Sequence, residues 1–200
     1  MDREAQIEPI AASLAEGRRS LELFSSDSAN LHSISAMASI IARGFLDGKK
    51  VLVCGNGGSA CDALHLAQEF TGRFRKERRA LPVIALSEAT HLTCVGNDYG
   101  FDEVFARGVS AYGLQGDILV ALSTSGNSRN VVRAVEEAGR RGLSVLLFLG
   151  RDGGALKDRG DLRIVVPGLH SDRIQEIHMI ALHILIECVE RRMFPANYPD

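Results

Sequence analysis

Two hundred residues with a formal net charge of −2 are enough for one α/β domain that buries its core without disulfides or a structural metal, and carry no overall basic field for nucleic acid. The four cysteines, Cys54, Cys61, Cys94 and Cys188, form no C-x-x-C pair and read as small buried hydrophobes in a reducing compartment. The N-terminus lacks a basic segment followed by a long apolar run, and no apolar stretch is long enough to span a bilayer, so a cytoplasmic protein without a membrane partner is expected.

Apolar residues recur at helical spacing from Ile7 to about Phe24 and from about Leu31 to Leu46, with Asp47-Gly48 closing the second stretch. Residues 1–47 are therefore read as a pair of long helices and 48–200 as an α/β core, within a single domain. A sheet covered by its own crossover helices has little room for both apolar faces of that pair, so a symmetric oligomer is expected to bury them. Five apolar runs follow as strands: Lys50 to Cys54, Pro82 to Leu86, Asp117 to Leu122, Ser144 to Leu149 and the shorter Leu162 to Val166. Helical segments separate them at Ser59 to Arg73, Ala89 to Val95, Phe101 to Ala111, Ser128 to Arg141 and Gly154 to Arg159. That alternation predicts a parallel five-stranded sheet with helices on both faces, a three-layer α/β/α architecture. A last helix runs from about Asp172 to Met193, and Pro195 and Pro199 follow it.

The first strand runs into Gly55-Asn56-Gly57-Gly58-Ser59 and then a helix. The glycines let the backbone turn sharply and approach an anion, and the free N–H groups of the helix start point at it. His65 and Glu69 follow on that helix, four residues apart and so on one face. An exposed helical pair is the plain alternative, made less attractive by the glycine loop ahead of it. Gly55, Gly57 and Ala60 also match G-x-G-x-x-A, but the acid that a dinucleotide ribose wants would be Glu88, about ten residues too far along. The run Arg73, Arg75, Lys76, Arg78, Arg79 reads as a solvated loop or as a contribution to a neighbouring subunit's anion site.

A second loop, Ser123-Thr124-Ser125-Gly126-Asn127-Ser128, places four hydroxyls around one glycine at a helix start. One hydroxyl would serve as a cap; four suggest a cradle for phosphate oxygens. No lysine follows in the P-loop arrangement, which argues against nucleoside triphosphate hydrolysis. On the terminal helix, His178 and His183 lie on opposite sides of Gln175, about 140° apart at 100° per residue, so one site does not easily use both. Asp98, in Gly96-Asn97-Asp98-Tyr99, is either a turn residue or a partner for a substrate hydroxyl.

CGNGGSACDALHLAQEF, GNDYGFDEVF, STSGNS and DRIQEIHMIALHILI, in this order and at these separations, resemble the sugar isomerase (SIS) fold and within it the phosphoheptose isomerases. The resemblance covers nearly the whole chain. It implies conversion of sedoheptulose 7-phosphate into D-glycero-D-manno-heptose 7-phosphate, the first step of nucleotide-heptose synthesis, in a homotetramer with active sites between subunits. It also implies a zinc ion on His65, Glu69, Gln175 and His183, and substrate contacts from Asn56, Gly57, Gly58, Asn97, Asp98, Ser123, Thr124, Ser125, Ser128 and Gln175, with Ser59 closing the same loop. Glu69 and His183 are the expected general acid/base pair for an enediol intermediate, Glu69 acting on the carbon-bound proton. Other divalent ions would suit the same ligands.

A DnaA-binding, replication-initiating branch of the same fold is the alternative, since Met193-Phe194-Pro195 and SGNSRNVVRAVE resemble it. Presence of both Glu69 and His183 favours the enzyme. A phosphosugar-binding regulator without catalysis is the third reading.

Overall fold

Strict alternation along the strands decides the layering. The structure, a computed structural model, describes residues 3–199 and the side chains of residues 6–199. Helices α1 (Arg3–Ser26) and α2 (Ser28–Leu46) precede β1 (Val51–Cys54), α3 (Gly58–Thr71), β2 (Val83–Ala85), α4 (Ala89–Asp98) and α5 (Val104–Tyr112). Then come β3 (Ile118–Ser123), α6 (Arg129–Arg140), β4 (Ser144–Gly150), β5 (Leu162–Val166) and α7 (Ser171–Met193). All strand pairs are parallel, in the order β2-β1-β3-β4-β5.

Val51, Val53, Ile118, Val120, Leu146 and Phe148 face one way and pack under α2, α3 and α7. Leu52, Cys54, Leu119, Ala121, Leu147 and Leu149 face the other way, under α4, α5 and α6. Side chains that alternate across a strand feed two separate cores, and strands buried on both sides carry apolar residues at every position. Right-handed crossovers place α3 on the opposite face from α4, α5 and α6, because the chain turns one way from β1 to β2 and the other way from β2 to β3. Asn30, buried on α2, accepts from the N–H of Val165 at 3.0 Å and donates to its carbonyl at 3.3 Å, closing part of the free edge of β5.

The five strands and the two leading helices lie where the sequence places them. Four expectations change. Gly154 to Arg159 is no crossover helix: a 3-10 turn at Gly154–Leu156 is all that forms, and positive φ at Gly153 (88°) and Gly154 (54°) breaks the helical path. The apolar face of α2 is buried within its own chain through Ile34, Met37, Ile41 and Phe45; it is α1 that leaves Ile7, Ile10, Leu14 and Leu23 exposed. Only Cys54 among the cysteines is buried; Cys61 and Cys94 sit on outward helix faces and are exposed, and Cys188 is partly buried against the core. Arg78 is buried against Glu190 instead of belonging to a solvated basic loop. Among the described residues no helix is long and apolar enough to cross a membrane.

Candidate active site

In an open parallel sheet, ligands bind beyond the carboxyl ends of the two strands whose connections leave in opposite directions. Those strands here are β1, which leads to β2, and β3, which leads to β4. At that point Asn56, Gly57, Gly58, Ser59, Leu122, Ser123, Thr124, Ser128, Ser171 and Gln175 enclose a cleft of about 230 Å³. Helices α3, α6 and α7 begin at Gly58, Arg129 and Ser171, so three helix N-termini border one cleft. Their unsatisfied N–H groups favour an anion.

Glycine is required at two points. Gly57 takes φ +54° to turn the chain into α3. A Cβ on Gly58 would stand 2.5 Å from Gln175 Oε1, so the bare backbone there is what admits the Gln175 side chain over the start of α3. Hydroxyls order the second loop: Ser123 Oγ accepts from the Gly126 N–H at 3.1 Å and lies 3.2 Å from Ser128 Oγ. Thr124 Oγ1 lies 3.1 Å from Ser171 Oγ. Ser125 instead accepts from the N–H of Asn127 and faces a neighbouring hollow with Arg151 and Leu169. Asn56 and Asn130 exchange two amide hydrogen bonds of 2.8 Å, which tie the two loops together and occupy the Asn56 side chain.

A second cluster lies farther along α3 and α7. His65 Nε2 is 3.3 Å from Glu69 Oε1 and 3.1 Å from His183 Nε2, and ligand atoms of these three residues fall within 4.8 Å of one another. Two imidazole nitrogens and a carboxylate, with the His65 side chain partly exposed, form a donor set suited to a divalent metal. Gln68 Nε2 donates to Glu69 Oε1 at 2.7 Å, and Phe74 stacks on the His183 ring at 5.9 Å. Burial, then the neighbouring His65, holds the His183 pKa below its ordinary value, with Arg75 adding to the effect and Glu69 opposing it. Asp62, one turn before His65, is buried with Oδ2 lacking a hydrogen-bond partner among the described residues, and burial raises its carboxyl to about 6.

Not every expected residue joins these groups. Gln175 stands in the cleft against Gly58, eight residues before His183 and so about 12 Å up the helix; one chain does not collect all four expected zinc ligands. Asn97 and Asp98 are exposed at the end of α4, where the Asn97 amide donates to Asp98 Oδ1 at 2.7 Å, and neither lines the cleft. His178 is fully buried with Nε2 3.0 Å from the Leu149 carbonyl, a packing residue on a different face from His183. Glu88 caps α4 by accepting from the N–H groups of Thr90 and His91, which removes it from any ribose-binding role.

Ser171 and Asn130 stand outside the residues the sequence points to, and Arg78 is visible there only as one member of a basic run. Ser171 opens an apolar-periodic helix and carries a visible start signal. Asn130 and Arg78 carry none, since each is defined by a partner 74 and 112 residues away.

Comparison with known proteins gives consistent relatives. The SIS domain family profile matches residues 14–150. A phosphoheptose isomerase of Fusobacterium nucleatum is 58% identical over 164 residues, 82% of this chain and 84% of the relative. One from Shigella dysenteriae is 48% identical over 185 residues, 92% of this chain and 96% of the relative. The structure of the phosphoheptose isomerase of Neisseria gonorrhoeae superposes with a TM-score of 0.84 at 40% identity, covering 92% of this chain and 97% of that one.

Proposed function

The chain belongs to the phosphoheptose isomerases of the SIS-domain family, aldose–ketose isomerases acting on a phosphorylated sugar, and on that premise we propose which of its residues do the work. The reaction converts sedoheptulose 7-phosphate into D-glycero-D-manno-heptose 7-phosphate. The observation that carries the assignment is the meeting of His65, Glu69 and His183 on two helices that both begin at an anion-binding cleft.

The phosphate is assigned to the cleft, where Ser123, Thr124, Ser128 and Ser171 offer hydroxyls and the starts of α3, α6 and α7 offer N–H groups. Gln175, held over Gly58, offers its amide to a sugar hydroxyl. Glu69 keeps Oε1 against Gln68 and His65, so Oε2 is assigned to take the proton from C1. The C1–H electron pair becomes the C1–C2 double bond, the carbonyl π pair moves onto O2, and O2 gains a proton to give the enediol. Loss of the O1 proton and return of a proton to C2 then completes the aldose. Groups positioned for such transfers contribute about 10²- to 10⁴-fold each.

His65 Nε2, Glu69 Oε1 and His183 Nε2 would hold a zinc ion, which when bound supplies Lewis-acid stabilisation of negative charge on the sugar oxygens. An imidazole nitrogen engaged as a ligand has no proton to exchange, so while Nε2 of His183 holds a metal any proton that this ring moves at O1 or O2 would be carried by Nδ1. Chelation tests the need for the metal: loss of turnover, restored by zinc, supports the metal reading, and turnover that survives chelation leaves His183 with acid/base work alone.

A homotetramer with active sites between subunits fits two features of the single chain. The cleft, at about 230 Å³, is smaller than the ~300–1,000 Å³ of complete small-molecule sites, and Asn97 and Asp98 stand outside it. A neighbouring copy would supply the missing wall. A cytoplasmic location is supported by the free cysteines. Incubating purified protein with sedoheptulose 7-phosphate and resolving the aldose product tests the reaction; zinc-supplied, folded protein that forms no aldose would refute it.

A further inference from the structure

The ligand atoms of the cation centre come from two helices, so their spacing depends on how α3 sits against α7. We propose that the buried Arg78–Glu190 pair, with the half-buried Tyr198, is a positioning clamp that fixes this register and thereby the arrangement of His65, Glu69 and His183; its bearing on a bound cation rests on the metal reading above.

Arg78 and Glu190 side chains are both fully buried, with Nε 2.7 Å from Oε1. The rest of the guanidinium is spent on the end of α3. Nη2 donates to the Glu69 carbonyl at 2.6 Å, and Nη1 donates to the carbonyls of Phe70 and Gly72 at 2.8 and 2.6 Å, with Arg79 at 3.2 Å. The last carbonyls of a helix have no partner within it, and a cation there also complements the helix dipole. Arg78 is therefore a C-terminal cap delivered by the following loop, and one of its acceptors is the backbone of Glu69 itself. The other oxygen of Glu190 accepts from the Tyr198 hydroxyl at 2.5 Å, so the chain's last turn closes the cluster, and Asn197 donates to the Glu77 carbonyl at 3.0 Å.

The loop between α3 and β2 follows α7 in order. Phe74 stacks on His183, Arg75 pairs with Glu187 at 2.7 Å, and Arg78 pairs with Glu190. Positions 183, 187 and 190 are spaced i, i+4, i+7, one face of a helix. Contacts in that sequence hold the loop against sliding along α7. A buried ion pair gives little net stability against well-packed apolar residues, because desolvation offsets the attraction; fixing one geometry is the better account of why charge is placed there.

Tyr198→Phe and Glu190→Gln in the full chain test the clamp, with two readouts that a merely stabilising role would not move. In metal-free protein, the imidazole NMR signals of His65 and His183 are expected to shift in both variants while His178, which faces Leu149, stays in place. In a Co²⁺ titration, affinity is expected to fall about 10-fold or more, the range seen when partners of metal ligands are removed. If Glu190→Gln does not fold, Tyr198→Phe alone decides, since it removes one hydroxyl near the chain end. A variant that melts earlier yet keeps wild-type His65 and His183 signals and wild-type Co²⁺ affinity overturns the proposal. Wild-type protein that binds no Co²⁺ while its variants show the ring shifts refutes the metal reading and leaves the clamp standing.

Discussion

His178 and His183 stand five residues apart on α7 with opposite surroundings. Burial pushes the His178 pKa down to about 4, against the pull of the Leu149 carbonyl, so the folded protein holds this ring neutral. Between about 6.5 and 4 the unfolded chain binds the proton that the folded one refuses. Its contribution to stability is thus full above pH 6.5 and is lost as pH falls toward 4, by roughly 3 kcal/mol at most. A denaturation series from pH 7 to 4 should show that loss in the wild type and a shallower slope in His178→Asn, whose turnover per folded molecule should change little. An equal slope in both would remove His178 as the cause. Glu69→Gln and His183→Gln should each lower turnover by about 10²-fold or more with the fold retained. Near wild-type rates in steady-state assays of either would refute the assignment.

At the scale of elements, the site depends on how closely two backbones approach. Gly58→Ala places a methyl within 2.5 Å of Gln175 Oε1, and the flexible amide can yield. The expected outcome is a raised KM for the sugar phosphate with a melting temperature close to wild type; unchanged KM would show that Gln175 does not contact substrate. Gly126→Ala is different, because φ is +64° and the new carbon would overlap the Gly153 carbonyl, which cannot move without distorting the β4 end. A loss of about 2–4 kcal/mol in urea unfolding is expected, the combined effect of strain and overpacking.

For the whole molecule, α1 is the element that one chain leaves unfinished. It contacts α7 yet exposes Ile7, Ile10, Leu14 and Leu23, and α7 adds Ile180 and Ile184. Deleting residues 1–26 removes the α1 part of this surface while sparing Asp27, the N-cap of α2, and Asn30, which holds β5. Light scattering should then show a smaller oligomer, and turnover should fall with it if sites are shared between copies. A truncated chain that keeps full oligomer size and activity would refute a role for α1 in assembly. The tail from Phe194 to Tyr198 packs on its own chain through Glu190 and Glu77.

Sequence periodicity alone determined the five strands, the two leading helices, both loops and the shared face of His65 and Glu69, because each of these is a local property of spacing, glycine content and cap residues. It also separated His178 from His183, since that is an angle on one helix. Tertiary structure decided the rest. Three helix starts around one cleft, the Asn56–Asn130 bridge, the burial of α2 and the Arg78–Glu190 pair all depend on segments far apart in the chain. An arginine in a basic run has the same local signature whether solvated or buried, and only the carboxylate brought to it by a helix 112 residues on distinguishes the two, since burying a charge requires a partner.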